Sequence, residues 1–107
     1  MKSSVRIHPS ILNADHSKIL SEIDRVAKVS DFLHLDILDG KFAPNTSFSW
    51  TEAQNIILGS SIPVDAHLMV IDSDVQGPRY AEAGCTSVTV HVESTADIRK
   101  TIKNIKS

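Results

Sequence analysis

The sequence predicts an α/β fold: a parallel sheet assembled from four successive strand–helix units. Three observations lead there. The apolar period switches repeatedly between two and 3.6 residues along the chain. Polar clusters follow strand-like runs, as at Asn13-Ala14-Asp15 and from Leu38 to Ser49. Two runs also pair a histidine with an aspartate two residues away, His34-Leu35-Asp36 and Asp65-Ala66-His67. Residues i and i+2 share one face of a strand. Neighbouring strands would therefore gather four polar groups on one side of an otherwise apolar sheet. Such groups are costly to leave unpaired, and they offer two imidazoles and a carboxylate at metal-ligand distance.

Val5 to Leu12 reads as the first strand, short, partly β-branched and closed by the polar cluster at Asn13. Ser17 to Val29 follows as a helix, with Ile19, Leu20, Ile23, Val26 and Ala27 at helical spacing and Asp15 or Ser17 as its N-cap. Phe32 to Leu38 reads as the second strand, with Leu33, Leu35 and Ile37 on one face and His34 and Asp36 on the other. Asp39-Gly40 signals a turn, and Lys41 to Trp50 a loop. Thr51 to Leu58 is a short helix closing near Gly59. Pro63 to Val70 is the third strand. Ser73 to Ala83 is expected to be helical in its second half, ending at Gly84. Ser87 to Val92 is the fourth strand, with Val88, Val90 and Val92 alternating against Thr89 and His91. Thr95 to Ile105 closes the order as an amphipathic helix carrying Ile98, Ile102 and Ile105. Such alternation implies parallel pairing through right-handed crossovers. Functional groups are then expected at the C-terminal ends of the strands.

The 107 residues have room for one domain and one core. A formal charge of −2 carries no electrostatic footprint for nucleic acid or an anionic membrane. The single cysteine, Cys85, excludes an internal disulfide and fits a reducing compartment. The start, Met1-Lys2-Ser3-Ser4, leads into an apolar run broken by Arg6, His8 and Pro9, too short for a signal peptide or membrane span. A cytoplasmic protein is the expectation.

Four stretches carry a resemblance. Pro9-Ser10-Ile11-Leu12-Asn13-Ala14-Asp15, Leu33 to Asn45 (LHLDILDGKFAPN), Val64 to Val70 (VDAHLMV), and Tyr80-Ala81-Glu82-Ala83-Gly84 with Val88 to Glu93 (VTVHVE) are similar to the ribulose-phosphate 3-epimerase family. They occur in order and with family-like spacing from about Ile7 to the last helix. The resemblance implies a TIM (β/α)₈ barrel, of which this (βα)₄ chain, residues 1–107, would be the N-terminal half, since a whole barrel takes roughly 250 residues. It also implies inversion at C3 of a ketopentose phosphate, ribulose 5-phosphate to xylulose 5-phosphate, through an enediolate. A divalent metal (zinc, or iron, manganese or cobalt) would polarise the C2 carbonyl, and two aspartates would act as acid and base.

Carried over by position, the resemblance implies His34, Asp36 and His67 as metal ligands and Asp36 as one acid/base group. It implies Ser10 and His67 as substrate contacts and Met69 as a thioether over the metal site. Leu38 stands where the family usually has a methionine. Asp65, on the face of His67, could orient that imidazole from behind. The family's second catalytic aspartate and its phosphate site belong to the other half of the barrel. The four glycines here, at 40, 59, 77 and 84, are all isolated. A lone half-barrel would expose sheet edges and inward faces, so a homo-oligomer or a complementary half-barrel is the expected partner, with a sugar phosphate as the small molecule. The alternative is an inactive half-barrel kept as an assembly or metal-binding remnant.

Other polar residues have plainer readings. Ser10 also suits the satisfaction of backbone groups at a strand end. His91 shares a face with Thr89 and reads as structural or pocket-lining. His8 and His16 read as ordinary polar residues, Asp39-Gly40 as turn chemistry, and Cys85 as a small buried residue.

Overall fold

The computed structural model describes residues 5–107. Residues 1–4, which open the 1–107 domain expectation, lie outside the described residues. Three strands form one parallel sheet in the order β1 (Leu33–Leu38), β2 (Val64–Met69), β3 (Ser87–Thr89). Between and around them run α1 (Ile19–Ala27), α2 (Trp50–Gly59), α3 (Ser73–Glu82) and α4 (Ile98–Lys106). This is the strand–helix alternation expected of a partial barrel of this type.

The alternation of side chains in β1 and β2 divides the molecule into two faces. Leu33, Leu35 and Ile37 of β1 and Val64, Ala66 and Leu68 of β2 are buried. They join Ile23 of α1, Ala53, Ile56 and Ile57 of α2, and Tyr80 of α3 in one core. The other face carries the polar residues. Helix α2 starts at a complete capping box: Ser49 accepts from the Glu52 backbone N–H, and Glu52 accepts from that of Ser49. Trp50, first in that helix, meets Tyr80 edge-on at 5.0 Å and carries the Arg79 guanidinium over its ring at 3.8 Å.

Three expectations change in the structure. The predicted first strand, Val5 to Leu12, makes one parallel bridge, Ser10 to His34, rather than a ladder. Its carbonyls are used, because Asp31 and Phe32 donate to Ile7 O and His34 donates to Pro9 O. Pro9 has no N–H to return, so the ladder cannot propagate through it. Helix α3 runs from Ser73 rather than occupying only the second half of its segment. Its first turn is closed by Val75 and Gln76 donating to Asp72 O, with Pro78 accommodated inside. The fourth predicted strand pairs only to Thr89, after which Val92–Ser94 turns as a 3₁₀ segment. Val92 consequently faces solvent instead of continuing the alternation.

A candidate metal-holding active site on the polar face

Register decides which polar groups meet. In the β1–β2 pairing His34 stands opposite Asp65, and Asp36 opposite His67. Neighbouring strands are about 4.8 Å apart, whereas i and i+2 along one strand are about 6.6 Å apart. Cross-strand partners are therefore within easy reach, and long side chains also span the i,i+2 gap between His34 and Asp36.

Asp36 is the hub, and only 8% of its surface is exposed. His34 Nε2 lies 3.0 Å and His67 Nδ1 3.1 Å from the same oxygen, Asp36 Oδ1. Ser10 donates to the other oxygen, Oδ2, at 2.6 Å. The bridge that replaces the first strand thus delivers Ser10 to the carboxylate. One donor atom from each of His34, Asp36 and His67 falls within 4.8 Å of the others. Two imidazole nitrogens and a carboxylate oxygen form a donor set that suits a divalent cation and leaves positions for a further ligand.

Asp65 is turned to His34, not to His67 as its position two residues away suggested. Its Oδ2 is 3.1 Å from His34 Nδ1 and 3.4 Å from His8 Nδ1, and its Oδ1 accepts from Ser87 at 2.7 Å. Burial raises the pKa of Asp65, but the hydrogen bonds from Ser87, His34 and His8 together outweigh it and hold the carboxyl below its usual range. His8, read as an ordinary polar residue, is therefore tied to this network, with its ring stacked on Phe32 at 4.6 Å. Met69 occupies the same face of β2 two residues beyond His67 and is half-buried. Cys85 is half-buried, and burial pushes its thiol up to about 12, as befits an unreactive residue.

Two further residues belong to the neighbourhood. His91 Nε2 lies 2.8 Å from His67 Nε2. The shared face with Thr89 was visible in the sequence, but the register that sets Thr89 beside His67 was not. Asp39 does more than make a turn. Its Oδ1 accepts from Lys41 and Phe42 at 2.8 and 2.9 Å, and its Oδ2 accepts from Ile71 at 2.9 Å, joining the connection after β1 to the one after β2. Gly40, at φ +76°, permits that turn; a side chain there would also meet Thr46. A cleft of about 350 Å³ lined by Leu12, Asn13, His16, Leu38, Asn45 and Thr46 opens beside the C-terminal end of β1.

A parallel sheet with its core on one face and a convergent His/Asp/His set on the other defines an α/β protein of the barrel-forming kind with a candidate metal centre. Residues 6–107 match the model of the Ribulose-phosphate 3 epimerase family, and the chain belongs to that family of isomerases. It is 44% identical over 89 residues to a ribulose-phosphate 3-epimerase of Mycobacterium leprae, covering 83% of this chain and 39% of that protein. It is 34% identical over 103 residues to the Bacillus subtilis ribulose-phosphate 3-epimerase, covering 95% and 48%. The chloroplastic ribulose-5-phosphate-3-epimerase of Arabidopsis thaliana is 32% identical over 109 residues, covering 99% and 39%. The chain thus spans between about two fifths and one half of these curated relatives.

Proposed function

We propose that residues 1–107 are the N-terminal (βα)₄ half of an epimerase barrel, acting at C3 of a ketopentose phosphate and interconverting ribulose 5-phosphate and xylulose 5-phosphate. The observation that carries this reading is the convergence of His34 Nε2 and His67 Nδ1 on Asp36 Oδ1 at 3.0 and 3.1 Å. His34, Asp36 and His67 would hold a divalent cation, such as zinc, iron, manganese or cobalt. When bound, it would polarise the substrate carbonyl and stabilise negative charge on that oxygen.

The chain's own groups then have definite tasks. Asp36 takes the C3 proton on one face of the substrate and returns it in the reverse direction. Ser10, donating to Asp36 Oδ2 at 2.6 Å, aims that carboxylate, and on this reading it also contacts substrate. His67 borders the substrate as well as the cation, and Met69 contributes apolar surface on the same face. Asp65 fixes the orientation of His34. Epimerisation needs a second proton carrier on the opposite face of the enediolate. On this reading that group comes from the rest of the barrel, covalently continuous or supplied by a second copy or a complementary half-barrel.

The test is NMR of ribulose 5-phosphate in D₂O with the purified chain and added zinc, following deuterium at C3 and xylulose 5-phosphate together. Product with deuterium at C3 is the expected result when the second carrier is present. Deuterium entry without inversion would mark the site as one half of the machinery. Asp36→Asn should abolish both signals, and persistence of either in that variant would refute the role given to Asp36.

A further inference from the structure

The two histidines that converge on Asp36 use opposite ring nitrogens, and each has a different partner behind it. His34 turns Nε2 toward Asp36 and its other nitrogen, Nδ1, toward Asp65 at 3.1 Å. His67 turns Nδ1 toward Asp36 and its other nitrogen, Nε2, toward His91 Nε2 at 2.8 Å. A nitrogen that gives its lone pair to a cation leaves the ring proton on the other nitrogen. With a cation on Nδ1, the His67 proton would sit on Nε2, and among the described residues His91 Nε2 faces it at 2.8 Å. Two nitrogens at this distance need one donor and one acceptor, so in the cation-bound site His91 would accept through Nε2 and keep its own proton on Nδ1.

We propose that His91 is the positioning residue of His67: it accepts a hydrogen bond from His67 Nε2–H and thereby reserves His67 Nδ1 for the cation. Its place is built rather than incidental. The His91 backbone carbonyl accepts from both the Ser94 N–H at 3.0 Å and the Ser94 hydroxyl at 2.7 Å. Ser94 is in turn paired at 2.5 Å with Ser73, the first residue of α3, and both serines are buried. The ring itself neighbours those of His67 and Phe42, with centroid separations of 5.0 and 5.2 Å. A buried serine pair therefore anchors the backbone while two rings limit the rotation of the imidazole. The cluster then contains two unlike supports: a carboxylate, Asp65, behind His34 and an imidazole, His91, behind His67.

This inference rests on the metal-holding reading above, and cobalt titration separates the two. Co²⁺ binding is followed by its visible ligand-field spectrum, and affinity by competition with a chromophoric chelator. Circular dichroism of each variant reports folding. Wild type should bind one Co²⁺, and His34→Ala should lose it. His91→Phe should weaken binding by about 10- to 100-fold and alter the spectrum. His91→Gln places an amide oxygen near the position of the lost Nε2 and should restore most of the affinity and the wild-type spectrum. Unchanged affinity in His91→Phe would overturn the positioning role and leave the metal site standing. A loss in His91→Gln as deep as that in His34→Ala would also overturn it, because His91 would then be a ligand. Absence of Co²⁺ binding by folded wild type would overturn both readings.

Discussion

Ser10 shows how much a single residue can depend on its surroundings. Alone it is a serine at the end of an apolar run, equally suited to closing a strand or touching a ligand. In the fold its hydroxyl is committed to Asp36 Oδ2 at 2.6 Å. A hydrogen bond to a charged group is worth about 1.5–3 kcal/mol; Ser10 is exposed, so the lower end applies. Ser10→Ala should therefore slow deuterium exchange at C3 by about tenfold, measured by the same NMR experiment. An unchanged rate would mean that Asp36 is aimed by other groups. His34 and His67 carry the same lesson in reverse. Their residue types announced a metal-ligating pattern, but neither type nor spacing specified which nitrogen each ring would present.

Among the elements, the strands and helices with clean periodicity were legible from the chain. The alternation in Phe32 to Leu38 and Pro63 to Val70 matches β1 and β2 within a residue at each end, because each has one face to bury. The segment around Pro9 was not legible as a single bridge at Ser10. Hydropathy records side chains, whereas the missing N–H of Pro9 acts on the backbone ladder. Asp39 was legible as a turn former but not as a tie between two connections, since Ile71 is 32 residues away. Burial raises the pKa of Asp39, and the backbone N–H groups of Phe42, Ile71 and Lys41 outweigh that, leaving it below the ordinary value of 3.8. A carboxyl depressed in the folded state stabilises the fold above its unfolded pKa. That contribution is lost as pH falls from about 3.8 through the folded value. Asp39→Asn should be less stable than wild type at pH 7, and the gap should close as pH falls below 3.8. Urea midpoints at pH 7, 4 and 3 would show this, and a gap independent of pH would refute the assignment.

Across the whole molecule, the sheet separates a core from a site. One face of β1 and β2 is packed under helices α1 to α3, while the other holds the polar cluster. The same two strands thus carry both stability and chemistry. Leu35, fully buried between two members of the cluster in sequence, links them. Leu35→Ala should cost about 2–5 kcal/mol by removing core contacts and leaving a cavity, a large fraction of the 5–15 kcal/mol typical of a domain. Chemical denaturation would measure it, and a loss below about 1 kcal/mol would show that the helices close over the gap. Among the described residues no helix is long and apolar enough to cross a membrane.

The sequence by itself determined the α/β alternation, the two-faced character of β1 and β2, and the family, because periodicity and ordered motifs are properties of neighbours along the chain. It also named His34, Asp36 and His67 as one group. Only the tertiary structure decided that Asp65 stands behind His34, that His91 stands behind His67, and that Ser10 reaches Asp36 by a single bridge. Those outcomes depend on strand register and on loop closures between distant residues. Cross-strand neighbours lie closer than i,i+2 neighbours in a sheet, and no local pattern encodes which residue will stand opposite which.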